Sequence, residues 1–148
     1  MFKVGGQLDI FSPLVITNPY ITIAGQTAAG SGIMITNSTG GSKQSLTVAA
    51  DHVIIRYLTF RRTEYSTGYN AGDNLYLAEG FNIIVDHCSF SWSSDGNLDI
   101  ANYGYDFNNR ALGGLTVQYS LFTNSYGGNN KSMLISGSPT ELSLFRNG

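Results

Sequence analysis

Short runs of hydrophobic residues recur along the chain at intervals of about thirty residues. One set starts at five positions, Ile21, Val53, Ile83, Leu115 and Leu142, so the successive intervals are 32, 30, 32 and 27 residues. β-Branched and aromatic residues dominate these runs, and Gly, Asn, Asp and Ser separate them, which is typical of short β-strands joined by turns. The pattern predicts an all-β fold made of repeats.

A second set of short runs comes seven or eight residues before the first set. It comprises Leu14–Ile16, Leu46–Val48, Leu75–Leu77 and Leu134, while the fourth repeat has Leu98–Ile100 followed by a longer insertion. Repeats of about thirty residues with two or three strands each favour a single-stranded right-handed parallel β-helix, a solenoid in which each repeat is one coil. A β-sandwich with accidental periodicity is the alternative.

The whole chain, residues 1–148, is predicted to form a single β-helix domain. Strand-like runs stand at both ends, at Phe2–Val4 and at Leu142–Phe145. We therefore expect a fragment of a longer solenoid that is incomplete at its C-terminal end. A small complete protein with frayed ends is the alternative.

Composition excludes several classes of protein. Charged residues make up only 12 % of the chain against about 25 % in ordinary domains. The net charge of −2 argues against nucleic-acid or anionic-membrane partners, which require a basic patch. Cys88 is the single cysteine, so no internal disulfide forms. Met1–Gly6 lacks the apolar core of a signal peptide.

Candidate chemistry in a β-helix lies on outer faces and in long connections. Such connections are expected at residues 61–73, 93–97, 102–114 and 126–131. The spacing also predicts that Leu75, Leu98 and Leu134 occupy the same position on successive coils.

That stacking brings acidic residues together along one edge. Asp73, Asp95 and Lys131 would form a column, with Asp99 pointing outward a short distance along the strand. Neighbouring carboxylates repel unless a cation lies among them, and hard oxygen ligands suit calcium. Solvated turn aspartates without a metal are the alternative.

Several segments, in order and over nearly the whole chain, resemble the pectate lyases of polysaccharide lyase family one. They are Val4–Gly6, Asn18–Thr27, Val53–Arg61, Gly72–Leu75 and Ile83–Asp95. The most specific is the run DHCSFSWSSD at residues 86–95. The resemblance implies a parallel β-helix and a secreted, calcium-dependent lyase that cleaves polygalacturonate, the acidic polysaccharide of pectin, by β-elimination. We expect the full-length protein to be a monomer.

The resemblance also implies roles for particular residues. Asp73, Asp95 and Asp99 match calcium ligands of the family, and Lys131 matches a lysine that contacts a substrate carboxylate. His87, beside Asp86 in the recognisable run, is interpreted as structural. Three arginines that are further candidates for lining the substrate groove are Arg61, Arg62 and Arg146.

Two departures from the family pattern affect the prediction. Ala71 stands where the family often has another acid, which predicts weak calcium binding in the absence of substrate. The family's catalytic arginine is expected beyond the strand that opens with Leu142, and Arg146 comes too early to match it, so the expected base is not contained in this chain. An inactive, lyase-like protein that binds acidic polysaccharide is therefore one alternative, and a purely structural β-helix is another.

Overall fold

The structure is a computed structural model that describes residues 1–37, 44–62, 71–102, 110–125 and 131–148. Fourteen β-strands and one short 3-10 turn, Gly25–Thr27, make up its regular structure. The strands are β1 (Gly6–Asp9), β2 (Leu14–Ile16), β3 (Thr22–Ala24), β4 (Ile33–Asn37), β5 (Leu46–Ala49), β6 (Val53–Arg56), β7 (Leu58–Arg62), β8 (Leu75–Asp86), β9 (Ser89–Ser91), β10 (Gly96–Ala101), β11 (Leu112–Gln118), β12 (Leu121–Thr123), β13 (Lys131–Ser136) and β14 (Thr140–Phe145).

The strands form three parallel faces of a solenoid, which confirms the predicted fold. The first face has the order β1-β4-β7-β9-β12. The second face has the order β2-β5-β8-β10-β13, and the third has β3-β6-β8-β11-β14. Strand β8 belongs to both because it bends at Gly80, whose φ of +118° suits glycine. Each coil thus contributes one strand to every face.

Most of the predicted stacking is confirmed by the strand register. Leu46 pairs with Leu75, and Leu75 pairs with Leu98. The prediction was wrong for Leu134, because Met133 pairs with Leu98 instead. Met133 and Leu134 are both apolar, so the sequence allows two registers that differ by one residue. Side chains alternate between the two sides of a strand, so only one of these residues faces the core. Met133 packs against the core, and its register is the one that forms.

Columns of identical or similar side chains fill the interior. Phe60, Phe90 and Phe122 stack with ring centroids 4.9 and 5.0 Å apart. Aliphatic residues such as Ile55 and Val85 form the neighbouring columns and are fully buried. This core holds the outward side chains of each coil at the fixed spacing of parallel strands, about 4.8 Å.

One corner of the solenoid carries a column of exposed aromatic rings. Tyr57, His87 and Tyr119 adopt left-handed backbone conformations, with φ of 55°, 52° and 49°. Their rings stack at 4.7 and 4.8 Å between centroids. Each such residue turns the chain sharply from the third face to the first.

The described segments contain no helix that is long and apolar enough to cross a membrane. Three of the long connections predicted from the sequence lie largely outside the described residues, at 63–70, 103–109 and 126–130. The fourth, 93–97, is described, and it leads into β10.

Candidate functional site

The three aspartates predicted from the sequence lie at the start of β8 and along β10 on the second face. Asp73 precedes β8 by two residues, Asp95 directly precedes β10, and Asp99 lies within β10. We call these residues the acid cluster. Asp73 and Asp99 are buried, with exposed fractions of 5 % and 7 %. Two buried carboxylates on adjacent coils require an explanation, because isolated buried charges are costly.

Gly96 brings two of these carboxylates together. Its backbone N–H donates a 2.8 Å hydrogen bond to Asp73 Oδ1. A Cβ atom placed on Gly96 would overlap Asp99 Oδ1 and lie 3.0 Å from Asp73 Oδ1. Both oxygens therefore border the same small space, and only glycine at this position leaves that space open.

The surroundings of Asp73 and Asp99 disfavour their charged forms. Burial, together with the nearby Asp99, raises the pKa of Asp73 to about 8, although the Gly96 N–H opposes the shift. Burial, together with the nearby Asp95, raises the pKa of Asp99 to about 6. Asp99 Oδ1 is buried and accepts no hydrogen bond from any described residue. The pair therefore has one carboxylate oxygen, Asp73 Oδ1, that accepts a backbone hydrogen bond, and one buried oxygen, Asp99 Oδ1, that accepts none from the described residues.

Lys131 places a positive charge beside the acid cluster. Its ammonium group lies 2.6 Å from Asp95 Oδ1, in a pair whose two side chains are partly exposed. This hydrogen bond raises the pKa of Lys131 above its ordinary value. The register places Lys131 opposite Gly96, not opposite Asp95 as the predicted column required. The side chain nevertheless reaches back to Asp95, so the predicted neighbourhood of Lys131 is present.

The residues of the acid cluster fit a hard divalent cation in their chemistry but are not arranged as a complete metal site. Among the described residues, no group of three or more His, Cys, Asp or Glu side chains is placed to hold a metal ion. The unpartnered Asp99 Oδ1 and the adjacent Asp73 Oδ1 are the kind of oxygen ligands that calcium takes. Asp95 is meanwhile bonded to Lys131. A cation bound here would need a rearrangement of Asp95 or ligands from elsewhere.

Two of the candidate substrate-binding arginines are held within the solenoid wall. Arg61 donates to the backbone carbonyl oxygen and to the hydroxyl oxygen of Ser89, at 3.0 and 2.7 Å. Burial lowers the pKa of its guanidinium. Arg62, the next residue, is fully buried. Their proposed contacts with substrate stay a prediction, and this conformation offers little of either guanidinium to a bound polymer.

The third arginine candidate lies at the aromatic corner. Arg146 stacks its guanidinium over the rings of Phe145 and Tyr119, at 5.1 and 5.9 Å from the centroids. Its left-handed φ of 48° continues the corner column. The structure therefore brings Lys131 to the acid cluster and places Arg146 at the end of the third face, so the basic residues do not form one group.

The Asp86–His87 pair also lies at this corner, at the opposite end of β8 from Asp73. Asp86 accepts hydrogen bonds from His87 Nδ1 at 2.6 Å, from Arg56 Nη2 at 2.6 Å and from Gln118 at 3.1 Å. These bonds outweigh burial and lower the pKa of Asp86. The contacts tie three successive coils together, and they agree with the structural interpretation of His87.

Sequence reasoning missed two residues that shape the acid cluster. Gly96 leaves space for Asp99, and the signal was its position between two aspartates in the run Asp95–Asp99. Ser94 is buried, and its hydroxyl oxygen accepts a 3.0 Å hydrogen bond from the Gly72 N–H, beside Asp73. No sequence signal distinguished Ser94 from the other serines of this chain.

Comparison with known proteins identifies similar sequences in fungi. The chain is 34 % identical over 147 residues to the probable pectate lyase C of Aspergillus flavus, and this alignment covers 99 % of the chain. It is 35 % identical over 153 residues to the probable pectate lyase C of Emericella nidulans and 35 % over 147 residues to that of Aspergillus fumigatus, again across 99 % of the chain. The predicted resemblance to pectate lyases is confirmed.

The chain spans about a third, 31 %, of the length of these curated relatives. No protein-family model matches the sequence. No solved structure matches it either.

Proposed function

We propose that this chain forms part of a calcium-dependent lyase that cleaves polygalacturonate by β-elimination, with the acid cluster holding the cation. The observation that carries the proposal is the buried, unpartnered Asp99 Oδ1, which borders the same space as Asp73 Oδ1. Two buried acidic groups with raised pKa values are a common sign of a functional site. The similarity to probable pectate lyases supports the choice of substrate class.

In this proposal, the residues of the chain bind and orient the substrate. Asp73, Asp95 and Asp99 hold calcium, which when bound draws electron density from the uronate carboxylate and so acidifies the proton at C5. Lys131 binds a carboxylate of the polymer through its ammonium group. Gly96 keeps the space between the acidic side chains open, so that a ligand can approach both.

The elimination removes the C5 proton as the bond from C4 to the leaving glycosidic oxygen breaks. The electron pair of the C5–H bond becomes the second bond of the C4–C5 double bond in the new non-reducing sugar. The electron pair of the C4–O bond leaves with the glycosidic oxygen, which takes a proton and becomes the hydroxyl group of the new reducing end. We assign the base that takes this proton to no residue of the chain. A guanidinium acts as a base only in special surroundings, because it otherwise stays protonated at neutral pH. Among the described residues, the arginines make hydrogen bonds, ion pairs or ring contacts, or are buried.

We further propose that the protein is secreted and acts as a monomer, in line with an extracellular polymer as substrate. These statements rest on the same similarity to pectate lyases.

The test is an assay of the full-length protein for unsaturated uronate product, run with added calcium and with a chelator of calcium. We expect product only in the presence of calcium, and we expect the variant Asp95→Asn/Asp99→Asn to lose both product and calcium binding. Asp51→Asn is the matched control, because Asp51 pairs with Arg110 away from the acid cluster. Unchanged calcium affinity in the double variant would contradict the ligand assignment. Polygalacturonate binding without unsaturated product would favour the inactive, lyase-like alternative.

A further inference from the structure

We propose that Lys131 is a built-in counter-ion that guards the acid cluster, and that its side chain must leave Asp95 before Asp95 can bind a divalent cation. The released ammonium group is then free to bind a carboxylate of the polymer. Cation binding and polymer binding are therefore coupled through one lysine. This inference rests on the proposed function and adds to it a coupling between the two ligands.

The backbone around Lys131 is anchored, while its side chain can exchange partners. The Lys131 N–H donates to the Asp95 carbonyl oxygen at 3.1 Å, and the Ser125 hydroxyl donates to the Lys131 carbonyl oxygen at 2.8 Å. Beyond this anchor the ammonium group reaches Asp95 Oδ1, in a pair with exposed side-chain fractions of 35 % and 25 %. Partly exposed ion pairs contribute little to stability and break readily. The backbone of Lys131 is therefore held in place, while its ammonium group can move to another partner.

Lys131 and a divalent cation compete for the same acceptor. The ammonium nitrogen of Lys131 lies 2.6 Å from Asp95 Oδ1. It therefore occupies the place from which a cation would bind this oxygen. A cation within a few ångströms of an ammonium group is repelled by it, and the repulsion is strong where water is partly excluded. Asp73 and Asp99 are buried, so water has little access to this part of the acid cluster. The lysine therefore lowers the calcium affinity of the protein in the absence of substrate.

A bound uronate removes this penalty. Its carboxylate gives the displaced ammonium group a new partner of the same charge as Asp95. The cation and the polymer then favour each other's binding, and the coupling is reciprocal by thermodynamic linkage. An exposed ion pair with no such role would leave both affinities independent of Lys131.

The experiment is a calcium titration by isothermal calorimetry on the protein and on Lys131→Gln and Lys131→Arg. We expect Lys131→Gln to raise the calcium association constant about tenfold. We expect Lys131→Arg to leave it nearly unchanged. Arg110→Gln is the matched control, because it removes one positive charge from an ion pair with Asp51 elsewhere and should change calcium affinity by less than about twofold.

The outcomes separate this inference from the proposed function. Equal calcium affinity in the protein and in Lys131→Gln, or weaker binding in the variant, overturns the guard and leaves the calcium site in place. An absence of calcium binding in both proteins overturns the guard together with the calcium-dependent function. As a measurement without substitution, NMR of the lysine ammonium groups should show the Lys131 signal shifting when calcium is added. An unshifted signal under saturating calcium contradicts the inference.

The polymer arm completes the test. We expect a short oligogalacturonate to bind the protein at least about tenfold more tightly with calcium than without it. In Lys131→Gln this calcium effect should shrink, because the ammonium partner is gone. A calcium effect of the same size in protein and variant would overturn the coupling through Lys131.

Discussion

The backbone N–H of Gly96 donates a 2.8 Å hydrogen bond to Asp73 Oδ1, so a glycine on one coil positions a buried carboxylate from the preceding coil. The same glycine has no room for a Cβ atom, which would overlap Asp99 Oδ1. One residue thus fixes the position of Asp73 and leaves Asp99 its place.

Gly96→Ala is predicted to lower calcium affinity and stability together. The added methyl group must displace the Asp99 side chain or shift β10, and strain of this kind costs about 1–3 kcal/mol. Chemical denaturation gives the free energy of unfolding, and calorimetry gives the affinity. In the double variant Gly96→Ala/Asp99→Ala the clash is absent, so the alanine at 96 should cost clearly less there. Equal costs in both backgrounds would contradict the packing explanation.

Asp99→Asn is predicted to stabilise the protein in the presence of a chelator, by about 1 kcal/mol. The amide removes a buried charge whose Oδ1 accepts no hydrogen bond from the described residues. Calcium should then give little further rise in melting temperature. Asp51→Asn is a control of opposite sign, since Asp51 bonds to Arg110 and to the Phe81 N–H and its loss should destabilise. Destabilisation of similar size in both variants would refute the role of the unpartnered carboxylate.

The metal-free protein is predicted to lose stability as the pH rises from about 4 to about 8. The pKa values of Asp73 and Asp99 are raised from 3.8 to about 8 and about 6, so across this range the folded protein binds more protons than the unfolded chain. The free energy of unfolding therefore falls with increasing pH. Urea denaturation at several pH values measures the slope, which Asp73→Asn/Asp99→Asn should flatten. A slope unchanged by that double variant would rule out these two groups as its source.

Phe90→Ala is predicted to destabilise the protein by about 3–5 kcal/mol, because it empties the centre of the phenylalanine column. Phe90 is fully buried and stacks on Phe60 and Phe122 on its two sides. Phe11→Ala is the control, since Phe11 is 73 % exposed and its loss should change the free energy of unfolding by less than about 0.5 kcal/mol. Equal losses in the two variants, measured by denaturant titration, would show that the column contributes no special stability.

Much of the fold follows from the sequence because the solenoid repeats its own pattern. The alternation of residues within a strand and the interval of about thirty between strands predict the coils, and Val53, Ile83 and Leu115 occupy equivalent positions as expected. The register fails along β13, where Lys131 and Leu134 are both one residue out of the predicted position, because two neighbouring apolar residues satisfy the same pattern and Met133 packs against the core. Because both neighbours are apolar, the alternation of apolar and polar residues does not show which of them faces the core.

Less of the candidate site than of the fold could be predicted from the sequence. The grouping of Asp73, Asp95 and Asp99 came from repeat spacing and from resemblance, and it lies at the predicted edge. The burial of Arg62 and the hydrogen bonds of Arg61 to Ser89 depend on how one coil packs on the next, which no local pattern records. The space beside Gly96 likewise depends on side chains from two coils.

The register of the faces has a consequence for how the chain folds. The pairings described between strands are all parallel, and each joins residues about thirty apart, as Val53 and Ile83 show. No pair of described strands meets through a tight hairpin, so the first contact between two coils must close a long loop at an entropic cost. Folding dominated by such distant pairings is slow, and growth is easier once two coils have docked. Each completed coil then serves as a template for its neighbour, and the outermost strand edge stays open to unwanted pairing until the next coil covers it.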